Sequence, residues 1–221
     1  MKPYMYALKN ALLLVPIVSL IFLIIYIKQD KTKINHKKMI SLYFFILYII
    51  VMYFLVIFPL PPISEVKNYT ANYVQLEPLY TIRYLKENMS FNVFSIDSYI
   101  RLIKNAYFYQ FIYNILITVP FGMYLKKYFR LNLFKTILST FILSLFFELT
   151  QLSGLYGVYL RPYRIFDVDD LITNTLGGII GYFISDIINK TRKKFWTLCS
   201  KLLLNSYKKE QKSVINSSKN V

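Results

Sequence analysis

MISLYFFILYIIVMYFLVIF, Met39 to Phe58, is a run without a single charged side chain. As a helix rising ~1.5 Å per residue, a segment of this length matches the ~30 Å hydrocarbon core of a bilayer. It lies inside an uncharged stretch of 26 residues between Lys38 and Glu65. Pro59, Pro61 and Pro62 close it, because proline cannot donate into the helical ladder and clashes with the preceding turn. The same pattern recurs along the chain. Between Lys9 and Lys28 lie 18 uncharged residues, and between Lys104 and Lys126 lie 21. Two further apolar runs are interrupted only by Glu148 and by Asp186.

The fold class that follows is all-α: a polytopic membrane protein of about five transmembrane helices. The predicted spans are roughly Leu8–Ile27, Met39–Phe58, Tyr107–Leu125, Leu133–Leu152 and Leu171–Ile188. Composition agrees, since 17% of the 221 residues are charged against about 25% in a soluble domain. The first run is followed by Lys28-Gln-Asp-Lys rather than a small-residue cleavage site, so it is expected to stay as an uncleaved helix. Residues 1–189 form the expected membrane domain. A long polar and Tyr-rich loop, about Leu60 to Ala106, suits the headgroup level. Residues 190–221 are expected to be a basic tail, amphipathic through Phe195, Leu198, Leu202 and Leu203, then disordered.

The net charge of +16 sits at the edges of apolar runs, where it suits orientation and anionic headgroups rather than nucleic acid. Lys and Arg number five between Lys28 and Lys38, four between Lys126 and Lys135 and nine from Lys190 onward. The opposite side carries two, five across the long loop, and two between the last spans. The positive side being cytoplasmic, the expectation is N-terminus outside and C-terminus inside, with the long loop extracytoplasmic. The single cysteine, Cys199, excludes an intramolecular disulfide and any multi-cysteine metal site. Self-association stays open.

Polar residues inside spans need a reason. Asn114 lies in the third span, and Pro120 with Gly122 predicts a packing kink there. Glu148 and Gln151, three apart, share a face of the fourth. At the head of the fifth stand Asp167, Asp169 and Asp170, with Asn174 one turn on. Capping accounts for one such acid, and three in four residues exceed it. Gly177 and Gly181 form a small-xxx-small pair that permits close helix contact. Counted from the basic residues at the cytoplasmic ends, Asn114 sits roughly 18 Å up, Glu148 roughly 20 Å, and Gln151 and Asn174 roughly 24 Å. Arg161 and Arg164 lie just above. A shared depth predicts one polar layer open to the outside.

Asn114 with Pro120-Phe-Gly, Glu148-Leu-Thr-Gln151, and Arg164-Ile-Phe-Asp-Val-Asp-Asp-Leu-Ile-Thr-Asn174-Thr-Leu-Gly-Gly-Ile-Ile-Gly181-Tyr resemble the VanZ-like family. Leu76-Glu-Pro-Leu-Tyr-Thr-Ile82 resembles a further family segment, departing from it at Glu77 and Leu79. The resemblance runs from about Val74 to Phe183. It implies a bacterial plasma-membrane protein of the cell envelope, associated with susceptibility to the lipoglycopeptide teicoplanin. It carries over no catalytic residue.

Three functions are compatible with these residues. In the first, Arg161 and Arg164 hold the phosphate of an anionic lipid or lipid-linked cell-wall species, since guanidinium matches phosphate oxygens. Glu148, Asp169 and Asp170 are then candidates to hold a divalent cation. In the second, an enzyme uses Glu148 as general base on a lipid-linked substrate. No Ser-His-Asp set serves it, His36 being the one histidine. In the third, the layer is an interhelical hydrogen-bond cluster of a structural subunit. Five spans without an internal repeat argue against alternating-access transport.

Overall fold

A computed structural model describes residues 3–28, 35–58, 60–67 and 73–218, and the side chains of 9–26, 35–58, 60–67 and 73–203. In chain order the elements are α1 (Pro3–Lys28), α2 (His36–Ile57), α3 (Ile63–Lys67), β1 (Val74–Gln75), α4 (Tyr80–Asn88), α5 (Ile96–Lys104), α6 (Ala106–Lys127), α7 (Leu133–Leu152), α8 (Gly154–Gly157), β2 (Phe166–Asp167) and α9 (Val168–Ser218). Helices α1, α2, α6, α7 and α9 are long and apolar enough to cross a membrane, the number expected from the sequence. Much of the basic segment between α1 and α2 lies outside the described residues.

Asparagine starts three of the spans. Asn35, Asn105 and Asn132 each sit in extended backbone and accept hydrogen bonds from first-turn amides, which satisfies donors that have no partner inside the helix. At the other end of α2 the chain leaves the helix at Phe58, ahead of Pro61 and Pro62. The segment between the second and third spans is described at residues 60–67 and 73–105. It contributes α3, α4, α5 and strand β1, which pairs in parallel with β2, Val74 opposite Phe166 and Gln75 opposite Asp167.

The core of the bundle is α6, α7 and α9, with α2 against α7 and α1 against α2. Its interior inverts the soluble pattern. On α7 the polar residues Thr136, Thr140, Ser144, Glu148 and Gln151, spaced by four and then three, are buried together with Phe147 and Thr150, while Leu138, Phe141, Ile142, Phe146 and Leu149 are exposed. Water would penalise that surface, whereas lipid tails accept it. The buried threonines satisfy their hydroxyls within their own helices: Thr140 donates to the Thr136 carbonyl, Thr118 to Asn114 and Thr173 to Asp169.

Small residues bring α6 and α9 into backbone contact. A side chain at Gly122 would collide with the Gly178 backbone, one at Gly177 with Thr118 and the Ile115 carbonyl, and one at Gly181 with the Val119 carbonyl. Gly122 is therefore a close contact for α9. Pro120 stays inside an unbroken α6. The Tyr48 hydroxyl on α2 donates to the Ile117 carbonyl, three residues before the proline that disturbs this turn of the ladder.

The last helix departs from expectation. It begins at Val168 and continues to Ser218, far longer than the ~20 residues a span requires. The region expected to be disordered is helical up to Ser218. Where the helix carries its first basic cluster, Asp186 pairs with Lys190 at 2.9 Å and with Lys126 of α6 at 3.8 Å.

Candidate functional site

The three acids at the head of α9 point three ways: Asp167 precedes the helix, while Asp169 and Asp170 are successive on it and so turned by about 100° from each other. Asp167, at the end of β2, accepts from the Asp169 amide at 2.8 Å and so caps α9. Asp169 turns outward to α4, accepting from the amides of Leu79 at 2.5 Å and Thr81 at 2.8 Å. It supplies, from another helix, the cap that Leu79 does not provide by its side chain. Leu79 adopts a left-handed conformation there, φ 61°, uncommon for a residue with a Cβ. Asp170 faces α6, where it accepts from Asn114 at 2.6 Å and from Gln110 at 3.1 and 3.2 Å.

Glu148 reaches up from α7. It is 2% exposed, and its Oε2 accepts from the Asp167 amide at 2.9 Å. One turn below Asp170, Asn174 donates to Ser144 of α7 at 2.8 Å, and its carbonyl accepts from Thr118 of α6 at 2.8 Å. Of the polar residues that the helical rise put at one depth, Asn114, Glu148 and Asn174 thus join a network tying α6, α7 and α9 together at the end where α9 begins, while Gln151 turns to α2.

Arg164 enters from the loop before β2. Its Nη1 donates to the Val56 carbonyl at 2.7 Å, a carbonyl that also accepts from Gln151 at 3.0 Å. Tyr163 donates to the neighbouring Ile57 carbonyl at 3.3 Å. These carbonyls are unpaired within α2 because the helix ends there, and they carry the negative end of its dipole. The prolines after α2 therefore help to anchor an arginine far away in sequence. Tyr159 donates to the Pro61 carbonyl at 2.8 Å, holding the same loop down.

Around these residues lie two chambers of about 540 and 440 Å³ that share Gln110, Tyr163, Arg164 and Asp170. The larger lies toward α4 and β1, with Gln75, Tyr80, Thr81, Asp167 and Asp169 in its wall. The smaller reaches between α2, α6 and α7, past Tyr113, Asn114, Glu148, Gln151 and Asn174. Among the described residues Arg164 is the one basic residue lining either chamber. Arg161 is exposed and lines neither. Burial pushes the Asp167 carboxyl up to about 6; Asp170 and Asp169 push the same way, while the Asp169 amide opposes them. Burial also pushes the Tyr163 hydroxyl up.

The trio Glu148, Asp169 and Asp170 does not form the cation site that was one expectation. Among the described residues no three His, Cys, Asp or Glu side chains group so as to hold a metal ion, and the Asp169 oxygens face backbone amides on α4. Three members of the network escaped the sequence reading. Gln110 and Thr118 lie four residues either side of Asn114, and Ser144 lies four before Glu148, so each sits on the face already marked.

The VanZ/LLP1 family model matches residues 45–189, from inside α2 to the end of the core bundle, a wider stretch than the motifs cover. No curated protein and no solved structure matches the chain.

Proposed function

Because the chain belongs to the VanZ/LLP1 family, a membrane family linked to antibiotic resistance, we propose that it binds or modulates an anionic lipid-linked species of the bacterial cell envelope. The observation that carries this reading is the placement of Arg164. It lies at the junction of both chambers, with a floor of hydrogen-bond donors and acceptors below it. A guanidinium in that position suits a phosphate, which it meets with two parallel donors. The chambers lie at the head of the fifth span, so a headgroup would enter them from the leaflet with its chain left in lipid. The positive-inside pattern supports the outer leaflet of the plasma membrane. A protein holding a lipid-linked wall species there would lower lipoglycopeptide susceptibility without touching the drug.

The test is teicoplanin susceptibility of a host expressing the wild type, Arg164→Ala or Arg164→Lys at matched membrane levels. The reading expects protection by the wild type, its loss in Arg164→Ala, and partial retention in Arg164→Lys, which keeps the charge and loses the fork. Full protection by Arg164→Ala overturns it.

A further inference from the structure

Helix α5 carries an apolar stripe that no part of the described protein covers. Ile96, Tyr99, Ile100 and Ile103 are spaced to fall on one side of the helix, and Ile96 is 77% and Ile103 64% exposed. Phe94, in the turn leading into the helix, is 98% exposed. The other sides are polar or packed. Asp97, Arg101 and Lys104 flank the stripe, and Ser98 is buried beneath the helix, accepting from the Asn92 amide at 3.2 Å and from Arg101 at 3.1 Å.

Depth decides what meets this stripe. A single residue, Asn105, separates α5 from α6, and it is at once the last cap of α5 and the first cap of α6, accepting from Tyr107 at 3.0 Å and from Phe108 at 3.3 Å. The end of α5 is therefore held where the α6 span begins, at the boundary between headgroups and acyl chains. A short helix at that level, with an apolar stripe bordered by Arg101 and Lys104, matches a helix lying in the interface plane with its cations among lipid phosphates.

We infer that α5 and the Phe94 turn are an interfacial anchor, embedded in the headgroup–acyl boundary of the leaflet at the head of α6. The anchor bears on the cleft. The same segment carries α4, whose Tyr80 and Thr81 wall the larger chamber and whose first turn is capped by Asp169 of α9. Lipid on one side and Asp169 on the other hold that wall in place. The inference follows from the fold alone and does not depend on what the chambers bind.

The experiment uses the full chain in nanodiscs containing one copy each, with Trp196, the one native tryptophan, replaced by phenylalanine. Phe94→Trp and Ile103→Trp report on the stripe, and Asp97→Trp reports on the polar flank. In lipids brominated high on the acyl chain, Phe94→Trp and Ile103→Trp are expected to emit at short wavelength and to lose most of their emission. Asp97→Trp is expected to keep its emission and be quenched by aqueous acrylamide. Overturning results are emission from Phe94→Trp and Ile103→Trp at the wavelength of water-exposed tryptophan, unaffected by bromine, or shielding that appears only when two copies share a disc, which would assign the stripe to a second chain.

Discussion

The two ends of the α6–α7–α9 bundle are built from similar residues and do different things with them. Around Gly122, Thr140 and Gly178 the interior is small and polar; the Thr140 hydroxyl is satisfied by its own helix, and Thr118 bonds its own helix as well as the Asn174 carbonyl of α9. These hydroxyls are short and bonded close to their own backbones, so the helix backbones close until a Cβ would not fit. Around Asn114, Glu148 and Asp170 the side chains are longer and their partners lie on other helices. Side chains that reach across at this end line the pair of chambers. In a membrane interior, whether a polar group is satisfied locally or across a gap decides whether that layer is a joint or a site.

The sharpest break of this comparison is Gly178→Leu. The added side chain meets Thr140 and the helices cannot approach, so a loss of about 3 kcal/mol or more is expected. The variant should yield little monodisperse protein by size-exclusion chromatography, whereas Leu accepted without loss would mean the joint is not close-packed. Next is Asp170→Ala at the other end. It strands the Asn114 and Gln110 amides, at an expected cost of about 1–3 kcal/mol read from thermal unfolding in detergent. An unchanged melting temperature would mean that the network does not tie the helices.

Asp167→Asn probes pH. The Asp167 carboxyl rises in the folded protein from 3.8 to about 6, so across that interval the folded state binds more protons than the unfolded one, and its contribution to stability falls as pH rises. The asparagine variant should flatten that slope, and an unaltered pH profile would mean the group ionises as freely folded as unfolded. The smallest effect is expected from Thr140→Val, which removes a bond made within one helix. It should cost less than about 1 kcal/mol; a cost equal to that of Asp170→Ala would erase the distinction between the two ends.

The spans were legible because a ~30 Å apolar layer demands a length and a composition that any residue string displays. The boundary of α7 agrees with the sequence reading at both ends. The end of α9 was not legible, since a helix leaving the membrane can continue in water on its own ladder, without an apolar face to announce it. In the candidate site, the shared depth of Asn114, Glu148, Gln151 and Asn174 followed from the rise per residue. The duties of Asp167, Asp169 and Asp170 did not. Three acids so close in sequence look alike until the neighbours are placed, and here those neighbours are α9's own first turn, α4 and α6.

By itself, the sequence determined how many times the chain meets the bilayer and which polar residues lie within it, because hydrophobic length and helical rise act along one dimension. Only the tertiary structure decided that Arg164 and not Arg161 lines the cleft, that Asp169 serves a helix outside the core rather than a cation, and that α5 exposes its apolar side. Those depend on the angle of each side chain about its helix and on which helix stands opposite, and that relation exists only once the bundle has assembled.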